Sequence, residues 1–251
     1  MTSARVGDPD HRVAAGRGGL VSTLLAAALH DLAAEGRPVR VLDCGGGSGS
    51  FAVPLASEHC EVTVVDISAD ALATLRRRAD EAGVATHVHA VNGDVEALSS
   101  LVQPASVDAV LAHGVLDAVD HVEPTLREMV TVLRPGGLLS VLVANPVASV
   151  VARALAGEPI AALTELRELG SESGALDPDQ VEALCRGLGL VPAGERWRHG
   201  VGVFSDLVPG AALDTPGARD AVRALDAEAA GIASFAGLAG RVHLLFRRPA
   251  A

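Results

Sequence analysis

Asp43 and the four glycines at positions 45, 46, 47 and 49 are the residues whose types and spacing could do chemistry. They stand in the run Val39-Arg-Val-Leu-Asp-Cys-Gly-Gly-Gly-Ser-Gly-Ser-Phe-Ala-Val53. A short apolar stretch ends on the acid, the glycines follow, and an apolar helix-like segment begins. Strand, tight turn and helix start together let bare backbone come close to a small polar ligand.

Three ligand classes suit such a turn. A phosphate loop needs a Lys followed by Ser or Thr after its last glycine, and that pair is absent. A dinucleotide fold is matched by Gly47-Ser-Gly-Ser-Phe-Ala52, which reads G-x-G-x-x-A, with Asp66 as the ribose acceptor. The third class is S-adenosylmethionine, matched by Asp43-x-Gly45-x-Gly47-x-Gly49. That molecule carries an ammonium, a carboxylate, a sulfonium and a ribose, but no pyrophosphate. A carboxylate beside the glycines suits it and would repel a pyrophosphate.

Four further places carry candidate chemistry. Asp66 ends Thr63-Val-Val-Asp66, and a carboxylate at the carboxyl edge of a parallel strand lies in the ligand crevice. There it accepts from two ribose hydroxyls; as a helix cap it is second to Ser68. Asp94, in Val91-Asn-Gly-Asp94, falls at the adenine edge or stabilises a turn. His113, in Leu111-Ala-His-Gly-Val-Leu116, follows the fourth strand and faces the reacting centre. It is the one candidate catalytic base, with a packed histidine as the alternative. Arg196-Trp-Arg-His199 joins two cations to the only Trp, which suits an anionic or planar substrate or else an edge-strand turn. Arg76-Arg77-Arg78 reads as a solvated helix face.

The elements that must position these residues alternate. Strands are expected at 39–43, 61–66, 86–91, 107–112 and 138–144. Helices are expected at 20–35, from Ser50, from Ser68 to about Ala82, and over 122–133, where Arg134-Pro-Gly-Gly137 stops the helix. Strands separated by helices pair in parallel, with helices on both faces. Farther on, 147–170 and 211–235 read as helical, and 197–206 and 242–247 as strands that could pair as an antiparallel edge. Residues 1–19 are polar and glycine-rich and read as a mobile arm.

Composition bounds the rest. At 251 residues, 49% of them hydrophobic, one large domain (1–251) with a sizeable core is expected. A net charge of -11 argues against a face built for nucleic-acid phosphates. Cys44, Cys60 and Cys185 show neither metal-ligand spacing nor a disulfide framework, so no metal and a reducing cytoplasm are expected. The polar N-terminus has no signal-peptide core, and Leu138–Ala144 is too short to span a bilayer, so no membrane association is expected.

From Val39 to Val143 the chain resembles the class I S-adenosylmethionine-dependent methyltransferases. The residues carrying this are Leu42-Asp-Cys-Gly-Gly-Gly-Ser-Gly49, Val64-Val-Asp-Ile-Ser68, Gly93-Asp94 and Val132-Leu-Arg-Pro-Gly-Gly-Leu138. Within that class, His113-Gly-Val-Leu-Asp-Ala-Val119, Leu133-Arg-Pro-Gly-Gly-Leu-Leu-Ser140, Asp177-Pro178 with Val181, and the stretch from Gly200 to Asp206 are similar to the tRNA 5-carboxymethoxyuridine methyltransferase group. The resemblance implies cofactor contacts at Gly45, Gly46, Asp66, Asn92, Gly93 and His113. Asp43, Gly47, Gly49, Ile67 and Asp94 are assigned to the cofactor with them. A cofactor-binding Arg of that group falls on Val21 here, with Arg17 nearby as its substitute. Another of its arginines is Gly202 here, and its tyrosines have no counterpart, since the chain has no Tyr.

The expected fold is α/β: a doubly wound, Rossmann-like, mostly parallel sheet of seven strands, a number the resemblance implies. Helical caps at 147–175 and 208–238 are expected over its carboxyl edge. The expected reaction is methyl transfer from S-adenosylmethionine to an oxygen acceptor. A carboxylate acceptor needs no base, whereas a hydroxyl would use His113. The acceptor is left open between a small metabolite and a tRNA wobble base. The alternative class is an NAD-dependent oxidoreductase or a noncatalytic nucleotide-binding module.

Overall fold

The computed structural model describes residues 10–33, 37–169 and 176–250, the side chains of 10–18 excepted. The described strands are β1 (Val39–Cys44), β2 (Cys60–Asp66), β3 (Val88–Asn92), β4 (Val107–His113), β5 (Leu133–Ala144), β6 (Val191–Pro192), β7 (Arg198–Val201) and β8 (Arg241–Arg247). They form one sheet in the order β3-β2-β1-β4-β5-β8-β6, with β7 also on β8. The pairs from β3 to β5 are parallel; β8 runs antiparallel to β5, β6 and β7. The expected antiparallel edge is therefore present, and the seven expected strands are eight, because β6 and β7 share the outer side of β8. β7 stops at Val201 rather than running to 206, because Gly202 takes φ +78° and turns the chain out of the sheet.

The helices are α1 (Asp10–His30), α2 (Ala52–Leu55), α3 (Ala69–Glu81), α4 (Val122–Val132), α5 (Pro146–Leu155), α6 (Pro159–Glu168), α7 (Pro178–Gly187), α8 (Ala218–Ala229) and α9 (Ala233–Ala236). α1 starts ten residues before the expected helix, so 10–19 is helical backbone, while residues 1–9 of the arm lie outside the described residues. The stretch 147–170 divides into α5 and α6 at Gly157, which sits at φ +81°. The stretch 208–238 holds a 3-10 turn at Gly210–Asp214 before α8 and α9. α7 was not expected from periodicity; Asp177, Pro178 and Gln180 start it through a capping box.

The two faces of the sheet bury separate apolar layers. Val21, Leu25 and Leu29 of α1, with Leu72 and Leu75 of α3, cover one face. Leu126 and Met129 of α4, with Val181 and Cys185 of α7, cover the other. β2 and β4 flank β1, so the chain leaves β1 to one side and returns to the other. The crevice at this reversal opens beyond the carboxyl ends of β1 and β4, where Asp43 and His113 stand. At the opposite end of β4, Asp108 accepts from Arg37 at 2.7 and 2.8 Å, from Arg134 at 2.8 Å and from the Arg40 amide at 2.9 Å. This carboxylate ties the entry to β1 to β4 and β5, far from the crevice.

Candidate active site

The turn after β1 lies between two acids, Asp43 beneath it and Asp66 beside it. Asp43 is 1% exposed, and a Cβ on Gly46 would collide with its Oδ2, so only glycine lets the turn close over the acid. That Oδ2 has no hydrogen-bond partner among the described residues. Burial, and then the charge of Asp66, push Asp43 up to about 7. On the other side, Asp66 Oδ2 accepts the Gly47 amide at 2.8 Å, with Gly47 at φ +53°. Asp66 Oδ1 accepts the Ser68 amide at 2.8 Å, while the Ser68 side chain caps α3 through the Ala71 amide. Gly45 donates to the Val65 carbonyl at 2.8 Å, and Arg78 of α3 reaches the Ser48 carbonyl at 3.1 Å. The turn is thus tied to β2 and α3.

The residues after β3 secure the end of β2. Asn92 donates to the carbonyls of Asp66 at 3.1 Å and Ile67 at 2.9 Å, and the Gly93 amide also donates to Asp66 at 3.1 Å. Asp94 caps a 3-10 turn at Val95–Ser100, accepting the Glu96 amide at 2.9 Å. A cleft of about 370 Å³ opens here, lined by Gly45, Asp66, Ile67, Gly93, Asp94, Gly114 and Val115 among others. Ile67 stands 77% exposed on its wall. Of the sequence candidates, Gly45, Asp66, Ile67, Gly93 and Asp94 line the cleft, Gly46 and Gly47 shape the turn, and Asn92 is engaged with backbone. Gly49, at φ +80°, leaves the room that Leu75 fills. Arg17 falls on α1, and its side chain lies outside the described residues.

His113 stands beside the cleft without being among its lining residues. Its Nε2 is 2.8 Å from Ser140 Oγ, which is 2.7 Å from His243 Nε2. The ring meets Phe51 edge-on at 4.4 Å, and burial pushes its pKa down to about 3. At neutral pH His113 is a neutral ring engaged through Nε2, and its lowered basicity argues for a positioning role over that of a base. Ser140 and His243 were not singled out from the sequence; a histidine within an otherwise apolar strand was the available signal. The Arg196–His199 run is structural rather than ligand-facing. Trp197 packs on Phe246 with centroids 5.4 Å apart and Arg186 above it, and Arg198 pairs with Asp179 at 2.5 Å.

A second cavity, of about 490 Å³, lies past the end of β5. It is walled by Ala144–Pro146, by Ser149 and Ala152 of α5, by Glu165 of α6, and by Asp206, Leu207, Leu238 and Gly240. Its charged lining residues are the two acids Glu165 and Asp206. Among the described residues no group of His, Cys, Asp or Glu could hold a metal, and no helix is long and apolar enough to cross a membrane. Burial pushes the thiols of Cys60 and Cys185 up to about 11 and about 12, leaving them inert.

Residues 41–137 match the family model described as a methyltransferase domain. Over that stretch the chain is a methyltransferase domain. It is 33% identical over 107 residues to the tRNA 5-carboxymethoxyuridine methyltransferase of Escherichia coli K12, covering 43% of this chain and 41% of that protein. It is 34% identical over 119 residues to the ubiquinone biosynthesis O-methyltransferase of Methylocella silvestris, covering 47% and 45%. The chain thus spans less than half the length of these curated relatives. Among solved structures, magnesium protoporphyrin IX methyltransferase from Synechocystis PCC 6803 aligns with a TM-score of 0.63 at 14% identity, covering 98% of this chain and 90% of that one. The [4+2]-cyclase SpnF aligns at 0.56 and 23% identity, covering 89% and 81%. These likenesses show the fold alone. The cyclase among them means that chemistry must be argued from the site.

Proposed function

We propose that this protein transfers a methyl group from S-adenosylmethionine to an oxygen of a small-molecule acceptor. The observation that carries the proposal is the pair of carboxylates bracketing the glycine turn. Asp66 retains lone pairs beyond its two amide bonds and lines the cleft, which suits acceptance from ribose hydroxyls. Asp43 leaves one buried oxygen without a partner among the described residues, beneath Gly46, which favours a cationic ligand above it. Ile67 offers an apolar wall to a planar base, and Asp94 borders the same cleft. An acid beside the turn suits a cationic sulfonium ligand better than a pyrophosphate, which favours the methyl-donor reading over the dinucleotide one.

When bound, the cofactor supplies a methyl group already activated by its sulfonium. The protein's own part is alignment and exclusion of water. The β5-end cavity is the proposed acceptor pocket. Its wall carries two acids, Asp206 and Glu165, the latter paired with Arg153, and no cation among the described lining residues, which disfavours a polyanion. A tRNA acceptor is the second reading, supported by the likeness to the Escherichia coli relative and opposed by that acidic wall and the net charge of -11. Incubation with S-adenosylmethionine radiolabelled on the methyl, against bulk tRNA and against a small-molecule extract, separates the two. Label in the extract is the expected result, and label in tRNA alone would contradict the small-molecule reading.

A further inference from the structure

α9 and the turn after it bury their small apolar side chains and expose their large ones. Ala236 and Ala239 are buried against β7, where a Cβ on Gly200 would meet the Ala236 backbone at 2.8 Å and the Ala239 side chain at 2.9 Å. Ile232, Phe235 and Leu238, by contrast, stand 48%, 37% and 40% exposed. The amide of Phe235 donates to the Ile232 carbonyl, and that of Leu238 to the Phe235 carbonyl, both at 2.9 Å. Turns closed three residues apart bring every third side chain onto one side, so the three form a single strip. Phe235 also leans on Phe204, with ring centroids 5.6 Å apart. The close approach to β7 is made by alanines and a glycine, so packing there does not account for the large residues outside.

The strip begins in the wall of the cavity beyond β5. Leu238 lines that cavity together with Leu207, Ala144, Pro146, Ala148 and Ala152. Asn145, 6% exposed, fixes it there. The side-chain amide of Asn145 donates to the carbonyls of Gly237 at 3.0 Å and Ala239 at 2.9 Å, the residues on either side of Leu238. The backbone amide of Asn145 donates to the Gly240 carbonyl at 3.0 Å, and its Oδ1 caps α5 by accepting from the Val147 amide at 3.2 Å. Cavity wall and strip therefore hold one fixed relation. Ser149, Glu165 and Asp206 give the cavity its polar lining. Ile232 lies six residues from Leu238, roughly 9–12 Å along the segment at 1.5–2.0 Å per residue. A polar chamber thus runs out into an apolar track.

We propose that the acceptor is an amphiphile, whose oxygen-bearing end occupies the cavity beyond β5 and whose apolar tail lies along Leu238, Phe235 and Ile232. Each methylene laid on the track leaves water, which at full burial is worth about fourfold in affinity. Leu238 then meets the start of every tail, and Ile232 meets only tails long enough to pass Phe235. A nucleic-acid acceptor would leave the strip with nothing apolar to cover it. The proposal rests on the methyl-transfer reading for the name acceptor, while the track itself stands on the exposure of three residues and the bonds that fix them.

The test is titration calorimetry of the full chain with 1-hexanol, 1-octanol and 1-decanol, each with and without saturating S-adenosylhomocysteine. Affinity is expected to rise between about twofold and fourfold per added methylene. Leu238→Ser should weaken hexanol and decanol alike, several-fold, because both tails start in the cavity. Ile232→Ser should weaken decanol several-fold and leave hexanol unchanged, because only the longer tail reaches it. Both positions are part exposed, and an unchanged far-ultraviolet circular dichroism spectrum reports that the variants are folded. An affinity flat with chain length, or an Ile232→Ser effect equal for the two alcohols, would overturn the proposal. Sedimentation showing a wild-type dimer that Ile232→Ser dissociates would give the strip to a second copy of the chain and overturn it equally. A length-dependent, Ile232-sensitive affinity with no heat from S-adenosylhomocysteine would instead overturn the methyl-transfer reading and leave the apolar track standing.

Discussion

The carboxylate of Asp66 accepts the amide of Gly47 at 2.8 Å, so the acid that ends β2 also fixes the turn that follows β1. One side chain both shapes the cleft and lines it. Asp66→Ala should weaken S-adenosylhomocysteine binding by about 1.5–3 kcal/mol, the scale of a charge-assisted hydrogen bond. Asp66→Asn, which keeps the size and one acceptor oxygen, should lose less. Titration calorimetry measures both, and unchanged affinity in the alanine variant would remove Asp66 from the site.

Asp43 lies beneath Gly46 with its carboxyl pushed up to about 7 by burial and by Asp66. The unfolded value is about 3.9. With the folded value higher, the protonated carboxyl favours the folded state. That stabilisation is complete below about pH 4 and is lost as pH rises through about 7. Asp43→Asn should therefore be more stable than the wild type at pH 8, by about 1 kcal/mol or more, and equal to it near pH 4. Denaturant unfolding at the two pH values checks this. The same variant should bind S-adenosylhomocysteine more weakly at pH 8, because it removes the charge that Asp43 carries there beneath the turn.

Asp108 carries the opposite shift. Burial alone would raise its pKa, but the Arg37 hydrogen bond, the Arg40 amide, and the charges of Arg134 and Arg37 bring it below the usual carboxylate value. Its stabilisation is present above the unfolded value of about 3.9 and is lost as pH falls through the lower folded value. Arg37 is half exposed, so solvent screens part of the interaction. Asp108→Ala should cost about 2 kcal/mol at pH 7. The cost should shrink toward pH 2, with S-adenosylhomocysteine affinity in the folded variant unchanged.

Glu165 lines the cavity beyond β5, and its carboxylate pairs with Arg153 at 2.6 Å. Glu165→Gln should change the Michaelis constant for the acceptor several-fold while leaving cofactor affinity as it was. A fall in cofactor affinity alone would move the acceptor pocket elsewhere.

The residues legible in the sequence are those whose partners lie close along the chain. Asp43, the glycines and Asp66 follow from strand patterns and turn chemistry within thirty residues, and the Ser68 cap of α3 was readable for the same reason. The chain through Ser140 was not, because β5 and β8 pair across about a hundred residues, and no local pattern says which strand meets Ser140. Arg198 beside Trp197 reads from the sequence as either a ligand-binding cluster or an edge-strand turn, because its partners Asp179 and Glu182 sit on α7, a helix that only its capping box announces. His113 was placed correctly at the end of β4, but its burial, which decides its protonation, depends on Phe51 and β8.

The acids around the glycine turn favour a sulfonium nucleoside over a pyrophosphate dinucleotide. Titration calorimetry of the wild-type protein with S-adenosylmethionine, and separately with NAD, distinguishes the two ligands. Saturable heat with S-adenosylmethionine, none with NAD, and a weakened response in Asp66→Ala is the predicted result. Saturable heat with NAD and none with S-adenosylmethionine would contradict the account.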